Sequence, residues 1–458
     1  MPEDPVLARQ VDAFLEASVT GRNGRAWRLL AEHPDIATFD FRTAVVLGDA
    51  GRVRELLAGD PALAVRPDDR SGWPPLLGVC SSRWHRIDPS RAAGMLAVAR
   101  LLLEAGADPN STAGRPGDRG YCSSLYAAAG CADNPAITEL LLHLGAVPDD
   151  HTLYLTSFHR DHACLRLLLD HGAPSSGSTA LAAPISTGDV EGVRLLLEAG
   201  ADPNQPLPDD LVAETGTGSE RVTPLHAALE AGCPTPLIAL LLAHGADPRA
   251  PDRTGMSPYR RAVRRDRLDV AEALLAAGAA DDADAADLLL GACLRGDRAA
   301  ARALVDSHPG LPGRLGADDH AAIIEAADRG QSGAVGLMLD LGFPIEARAR
   351  NDGATVLHAA AAAGAAGLVR MLIERGADIE ARDTTWQATP LDWASVGSGL
   401  KLGRNPDPDW VSTVTTLLDA GADPQGAWVT EKPPSSEVAA LLRARGVIPP
   451  TEVDDPAS

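Results

Sequence analysis

Five side chains between residues 151 and 171 could ligate a metal ion. They are His151, His159, His162, Cys164 and His171. Imidazole and thiolate groups are the ligands that structural zinc sites use, and His159 and His162 form a His-x-x-His pair. No third ligand follows at good spacing, and His171 repeats the position of His143, just before a glycine. We therefore interpret these histidines as structural and predict no metal site.

Motifs for covalent or phosphoryl chemistry are missing from the sequence. It contains no Gly-Lys-Ser phosphate loop, no nucleophile elbow and no His-Glu-x-x-His. The six cysteines form no Cys-x-x-Cys pair, and Cys80, Cys164 and Cys293 fall at positions where the pattern predicts small buried residues. The sequence predicts neither an enzyme nor a cofactor.

These side chains are carried by an internal repeat. The phrase LLLEAGADPN occurs at residues 101–110 and again at 195–204, and degraded copies with a period of about 33 residues run nearly end to end. A unit this small cannot bury its apolar face alone, so neighbouring units must stack.

Each unit is predicted to be a helical hairpin. Val193, Leu196 and Leu197 follow the i, i+3, i+4 spacing of one apolar helical stripe. Gly200 then stands where a left-handed residue ends a helix. Upstream in another unit, Thr223-Pro224 pairs a hydroxyl N-cap with proline at the first helical position.

The motif TPLHAA at 223–228 resembles the opening of the ankyrin repeat, with variants at 355–360 and 389–394. The resemblance implies an all-α solenoid of about 12 helical hairpins, joined by short β-hairpin or loop fingers. We expect the hairpins to end at His33, Asp60, Gly106, Gly145, Gly172, Gly200, Gly245, Gly278, His308, Gly342, Gly376 and Gly421, and a last helix at Gly446.

Departures from the period indicate the domain organisation. We expect an N-terminal capping hairpin at 1–33, a first sub-array at 34–203, a mobile loop insertion at 204–222, a second sub-array with its C-terminal cap at 223–446, and a disordered tail at 447–458. Two further insertions, at 81–90 and 397–408, separate the two helices of their units. Pro184 falls inside a predicted first helix.

Charge limits the choice of partner. The chain of 458 residues has 63 acidic against 41 basic side chains, a formal net charge of −22. Nucleic-acid binding demands clustered cations, so we expect no nucleic-acid partner. The charge serves solubility or attracts a basic protein. No segment is apolar and long enough to predict a membrane span. We expect a monomer in the cytoplasm.

The resemblance also implies which residues face the concave groove: the one after the motif's His position and the two before the turn. These are Leu155, Phe158, His159, Arg261, Arg264, Arg265, Leu294 and Arg295. The arginines form a cationic strip at 261–267 within an acidic chain. It is either a solvated helix face partly neutralised by Asp266 and Asp269, or a receptor for an acidic or carbonyl-rich segment, with Phe158 as the apolar anchor.

Tryptophans cluster in the two units that carry mid-hairpin insertions: Trp73 and Trp84, then Trp386, Trp393 and Trp410. Either each cluster folds its insertion back onto the array or it contributes binding hot spots. Trp393 is predicted to anchor a bound segment, because it occupies an exposed groove position directly after Asp392, which stands where the motif places histidine.

Two functions remain open at this point. The first is an interaction scaffold that binds partner proteins through the groove and fingers. The second is a dedicated inhibitor or immunity factor that occludes a basic enzyme through its acidic surface. Loss of affinity with rising salt would favour the second.

Overall fold

The computed structural model describes residues 5–69, 71–114, 121–177, 179–207, 222–252, 254–424 and 432–447. Most of the predicted mobile loop (208–221) and nearly all of the predicted tail (448–458) therefore lie outside the described residues. The described chain divides into two compact units, with the division after Asp247. The boundary predicted from the sequence at 204–222 remains a prediction.

Unit 1 contains seven successive helical hairpins among its described residues. Their helices are Pro5–Val19 and Asn23–Glu32 (hairpin 1), Phe41–Leu47 and Ala50–Gly59 (2), Pro75–Ser81 and Ala92–Glu104 (3), the π-helix Tyr126–Ala132 and Pro135–His143 (4), Asp150–Thr156 and Ala163–Asp170 (5), Ala182–Ser186 and Val190–Glu198 (6), and Pro224–Glu230 and Thr235–Ala243 (7).

Unit 2 continues with five hairpins and a last helix over the residues that can be described. The helices are Pro258–Arg264 and Leu268–Ala276 (hairpin 8), Ala285–Arg295 and Arg298–Ser307 (9), Ala317–Asp328 and Ser332–Asp340 (10), Val356–Ala362 and Ala366–Glu374 (11), Pro390–Leu400 and Trp410–Asp419 (12), and Ser436–Ala444. The prediction of about 12 hairpins and a final helix is confirmed.

The helix ends follow from local sequence. Every predicted hairpin end lies within two residues of an observed helix terminus. At the end of hairpin 3, Gly106 has φ +100°, its N–H donates to Leu103 O at 3.1 Å, and the Ala107 N–H donates to Leu102 O at 3.0 Å. These two hydrogen bonds satisfy carbonyl groups at the helix end that have no partner within the helix. The geometry needs a residue that tolerates positive φ.

The predicted hydroxyl caps also form. Thr223 Oγ1 accepts from the His226 N–H at 3.4 Å, and Ser257 Oγ accepts from the Arg260 N–H at 3.1 Å. Each hydroxyl satisfies one backbone donor at the start of a first helix, and the proline that follows has no N–H to satisfy.

Stacking buries an equivalent leucine in each of five successive hairpins of unit 1. This leucine lies four residues before the terminal glycine and is fully buried at Leu102, Leu141, Leu168, Leu196 and Leu241. Burying such a side chain stabilises the fold by about 1.5–3 kcal/mol. The neighbouring hairpin supplies the covering surface, so the repeat period and the core have the same origin.

Fingers, the loops that join one hairpin to the next, contain little strand. Thr112–Ala113 pairs antiparallel with Cys122–Ser123, and single bridges join Leu207 to Val222 and Arg348 to Thr355. The expected short β-hairpin fingers are therefore present in part of the array.

Both mid-hairpin insertions pack against other hairpins of the array. The 81–90 insertion forms the short helix Trp84–Ile87. Trp84 is fully buried there, and its indole N–H donates to Ser18 Oγ of hairpin 1 at 3.0 Å. In the 397–408 insertion, Asn405 Nδ2 donates to Ala363 O at 3.0 Å. The interpretation that tryptophan clusters secure the insertions holds for Trp84.

Candidate functional site

An exposed phenylalanine lies where unit 1 was predicted to bind a partner. Phe158, at the end of the first helix of hairpin 5, is 42% exposed, and the Tyr154 ring packs edge-on against it at 5.2 Å. Leu155 is half-buried and lies against Gly130, where an added Cβ would come 3.1 Å from the Leu155 Cβ. Together these side chains form a small apolar surface on hairpin 5.

His159 differs from its neighbour Phe158 because its ring is committed to the fold. Its Nε2 lies 2.8 Å from Gly130 O and its Nδ1 lies 3.6 Å from Asp133 Oδ2. Asp133 is itself buried, at φ +51°, and also accepts from Arg86 of the 81–90 insertion. His159 therefore links hairpins 4 and 5.

The other histidines of the 151–171 cluster point to separate partners. His162 Nε2 lies 2.6 Å from Asp189 Oδ2, His171 Nδ1 lies 2.9 Å from Leu167 O, and His151 stacks on Tyr126 at 4.9 Å. Cys164 is buried against the Thr138 hydroxyl. Among the described residues no three His, Cys, Asp or Glu side chains converge to hold a metal ion.

The arginine strip of unit 2 (Arg261, Arg264, Arg265 and Arg267) is paired with carboxylates throughout. Arg264 donates to Asp287 Oδ1 at 3.1 Å and also to Asp319. Arg261 donates to Asp252. Arg265 lies 3.7 Å from Glu325. The side chains of Arg261, Arg264 and Arg265 are only 15–19% exposed.

Asp287 is the centre of this pairing. Its side chain is fully buried and accepts from Arg260 Nε at 2.6 Å as well as from Arg264. A buried carboxylate needs ion pairs or hydrogen bonds to offset its lost hydration, and here two guanidinium groups provide them. One of the two interpretations from the sequence was a solvated strip partly neutralised by Asp266 and Asp269. They do lie beside Arg295 and Arg267, but Asp287, Asp319 and Glu325 come from hairpins 9 and 10.

The remaining predicted groove residues of hairpin 9 are similarly engaged. Leu294 is 9% exposed and packs in the core of unit 2. Arg295 donates to Asp266 and lies 3.9 Å from Asp297. Among the described residues, the strip and its carboxylates thus form a charge-balanced layer.

Trp393 is half-buried and its indole N–H is already bonded. It donates to Asp383 Oδ2 at 2.8 Å, and the ring packs edge-on against His358 at 5.6 Å and Trp386 at 5.9 Å. The indole that lies open is Trp386, which is 62% exposed. The sequence places Trp386 in a cluster with Trp393 and Trp410 but does not distinguish it from them. Its place among Thr, Gln and Asp in a finger was the available signal.

Asp392 bonds differently from histidine at the same position, as predicted. Its Oδ2 accepts from the Thr389 N–H at 2.8 Å, and Oδ1 is buried without a hydrogen-bond partner among the described residues. Burial raises the pKa of Asp392 although Thr389 bonds oppose the shift. In hairpin 11, His358 Nε2 instead lies 3.0 Å from Ala388 O of the next finger. Burial lowers the pKa of His358, so the ring favours its neutral form.

Stacked helical hairpins with polar fingers define a repeat protein, and comparisons with known proteins identify the repeat family. Residues 124–206 and 289–383 match the family model for ankyrin repeats (3 copies). Residues 225–275 match the model for ankyrin repeats (many copies). The matched residues amount to half of the chain. The chain belongs to the ankyrin repeat family.

Two mouse proteins are similar to part of the chain. The B-cell lymphoma 3 protein homolog of Mus musculus is 33% identical over 160 residues, which cover 32% of this chain and 33% of that protein. The 2-5A-dependent ribonuclease of Mus musculus is 38% identical over 96 residues, 19% of this chain and 12% of that protein. The chain thus spans a third or less of each relative.

Solved ankyrin repeat domains also resemble the chain. One from Acinetobacter baumannii is 23% identical, with 43% of this chain and 99% of that chain covered and a TM-score of 0.34. The human ASB11 ankyrin repeat domain is 21% identical, with 59% and 98% covered and a TM-score of 0.24. Ankyrin repeats are generally protein–protein interaction modules. Within the described residues, no helix has the length and apolarity to cross a membrane.

Proposed function

We propose that this chain is a non-enzymatic interaction scaffold that binds partner proteins through the concave face and fingers of its ankyrin array. The observation that supports this most directly is Phe158, an aromatic side chain left 42% exposed on hairpin 5 beside Tyr154 and Leu155. A large ring held by an ordered neighbour loses little conformational freedom on binding, and such rings often dominate interface energy.

The arginine strip contributes to selectivity in this proposal. A partner segment that reaches Arg264 or Arg265 must exchange carboxylates with Asp287, Asp319 or Glu325, whose ion pairs already exist. Such an exchange adds little net affinity, while a partner that cannot complete it is rejected. The proposed partner-binding set also includes the predicted residues His159, Arg261, Leu294, Arg295 and Trp393, whose bonds and packing are described above.

The proposal places the chain in the cytoplasm as a monomer, without a nucleic-acid partner. The six cysteines are all free thiols, and burial raises the pKa of Cys80, Cys164 and Cys293. A reducing compartment suits such a set. Residues 1–33 and the last helix Ser436–Ala444 serve as the caps that a repeat array requires.

Affinity purification of the full chain from its native host, followed by mass spectrometry, identifies the partner for the test. Phe158→Ala should weaken binding of that partner by about tenfold or more. Val147→Ala is a matched control, since Val147 is 72% exposed in the same unit and lies outside the predicted groove. Unchanged affinity in Phe158→Ala and in the double charge reversal Arg264→Glu, Arg265→Glu would overturn the groove assignment.

The inhibitor alternative rests on the net charge of −22. It predicts a basic enzyme as the captured partner, loss of that enzyme's activity on binding, and affinity that falls steeply with salt. If the partner has no enzymatic activity, or if its activity is unchanged when bound, the inhibitor function is wrong and the scaffold function remains.

A further inference from the structure

The finger between hairpins 11 and 12 presents a tryptophan to solvent. Trp386 is 62% exposed, although an indole is among the costliest side chains to leave in water. The Trp393 ring contacts it edge-on at 5.9 Å and the Lys432 ammonium lies 6.0 Å from its ring centre. Tryptophan is enriched among the residues that dominate binding interfaces.

The turn that carries Trp386 is held rigidly by one buried carboxylate. Asp383, 1% exposed, accepts from the backbone N–H groups of Thr385 at 2.9 Å and Trp386 at 2.6 Å. It also accepts from the Trp393 indole N–H at 2.8 Å. Because these bonds fix the backbone of the turn before any partner arrives, binding at Trp386 costs little further ordering.

Cations without carboxylate partners surround this turn. Arg382 Nη1 donates to Gln387 O at 2.6 Å, and Arg348 Nη1 donates to Arg382 O at 2.9 Å and to Gly353 O at 2.8 Å. All three basic side chains, Arg348, Arg382 and Lys432, are exposed. In the part of the chain that the structure describes, their contacts are with carbonyl oxygens or the Trp386 ring. The arginine strip, in contrast, is neutralised by its own carboxylates.

We propose that Trp386, Arg348, Arg382 and Lys432 form a docking site for an acidic peptide segment of a partner protein. An apolar side chain of the segment covers the Trp386 indole, and flanking carboxylates bond the three cations, which donate to carbonyl oxygens or face the Trp386 ring. This assignment rests on the proposed interaction function and names its partner class. Single-stranded nucleic acid is disfavoured because its binding sites combine a groove of cations that follows the strand with several rings on which successive bases stack, whereas Trp386 is the exposed ring of this turn.

The test uses full-length protein and fluorescence anisotropy. The probe is a synthetic peptide with one leucine between runs of glutamate, and its counterpart replaces glutamate by lysine. We expect only the acidic peptide to bind, and Trp386→Ala and Lys432→Glu each to weaken it by about tenfold. Matched controls are Trp27→Ala, since Trp27 is 54% exposed in unit 1, and Lys401→Glu, which removes the chain's other lysine. Both controls should bind as wild type does.

Three outcomes would overturn the site. The acidic peptide fails to bind better than the basic one, its binding is indifferent to Trp386→Ala and Lys432→Glu, or an oligothymidylate competes for the same residues more tightly. Circular dichroism spectra and melting curves of both variants exclude unfolding as the cause of lost binding. The scaffold function survives any of these outcomes if the purified native partner still depends on Phe158, so the two failures are distinguishable.

Discussion

At the scale of single residues, Asp392 and His358 answer the same structural demand with different chemistry. Both accept the backbone N–H three residues earlier, from Thr389 at 2.8 Å and Thr355 at 3.1 Å. Only His358 also reaches the next finger, with Nε2 3.0 Å from Ala388 O. The substitution keeps the helix cap of hairpin 12 and gives up a bond between neighbouring units.

Asp392 should make the stability of unit 2 depend on pH. Burial raises its folded-state pKa, so its contribution is fully present below the unfolded pKa and is lost as pH rises through the folded pKa. Asp392→Asn should therefore unfold at higher urea than wild type at neutral pH, and this advantage should shrink in acid. Asp407→Asn, at an exposed position, is the control, and an Asp392→Asn advantage that does not change with pH would contradict the assignment.

Asp383 should contribute far more to the free energy of unfolding than a carboxylate that accepts a single backbone hydrogen bond at the surface. Burial alone would raise its pKa, but hydrogen bonds from the Trp393 indole and backbone N–H groups outweigh burial and lower it. Asp383→Ala leaves these donors unsatisfied and should cost about 3 kcal/mol of unfolding free energy in urea titrations. Asp378→Ala removes a carboxylate with one such bond, to Glu380 N–H at 3.0 Å, and should cost about 1 kcal/mol or less. Equal losses would show that Asp383 does not hold the turn.

At the scale of elements, close helix contact depends on missing side chains. An added Cβ on Gly291 would lie 2.3 Å from Val263 O of hairpin 8. Only glycine lets the helices Pro258–Arg264 and Ala285–Arg295 approach this closely, and their contact places Asp287 beside Arg260 and Arg264.

Gly291→Ala should force these two helices apart and destabilise unit 2 by about 1–3 kcal/mol. Gly367 is the matched control, because it is also helical and an added Cβ there meets nothing within 4 Å. Gly367→Ala should stabilise by about 0.5–1 kcal/mol through helix propensity. Urea denaturation compares the two, and a Gly291→Ala midpoint at or above that of wild type would refute the close-contact argument.

Hairpins could be predicted from the sequence because their signals are local. Glycine, proline and hydroxyl caps act within a few residues, so each end was placed correctly, at Gly106 as at Gly376. The arginine strip could not be read in this way, since Asp319 lies 55 residues from the Arg264 it binds. The exposure of Trp386 likewise depends on how Asp383 holds the backbone of its turn. The Trp393 indole N–H donates to the same carboxylate, a contact that the sequence does not reveal.

At the scale of the whole molecule, the described chain forms two compact units that meet in sequence after Asp247. A repeat array derives its stability from each hairpin and from the contacts between neighbouring hairpins. A local defect therefore weakens nearby hairpins most. Gly291→Ala should therefore accelerate amide hydrogen exchange in hairpins 8 to 10 and leave hairpins 1 to 3 nearly unchanged. Mass spectrometry of peptic peptides resolves the two regions, and uniform acceleration along the chain would show a single cooperative unit instead.

The six free thiols have a consequence for studying the protein in solution. They lie in hairpins 3, 4, 5, 7 and 9 or their fingers, at Cys80, Cys122, Cys131, Cys164, Cys233 and Cys293. Burial raises the pKa of Cys122 and of Cys293 to about 12 and that of Cys80 further, so the buried sulfurs hardly react with alkylating reagents until their layer opens. The order in which the native cysteines become labelled therefore reports which hairpins open first by local unfolding. No labelling site needs to be introduced for this measurement.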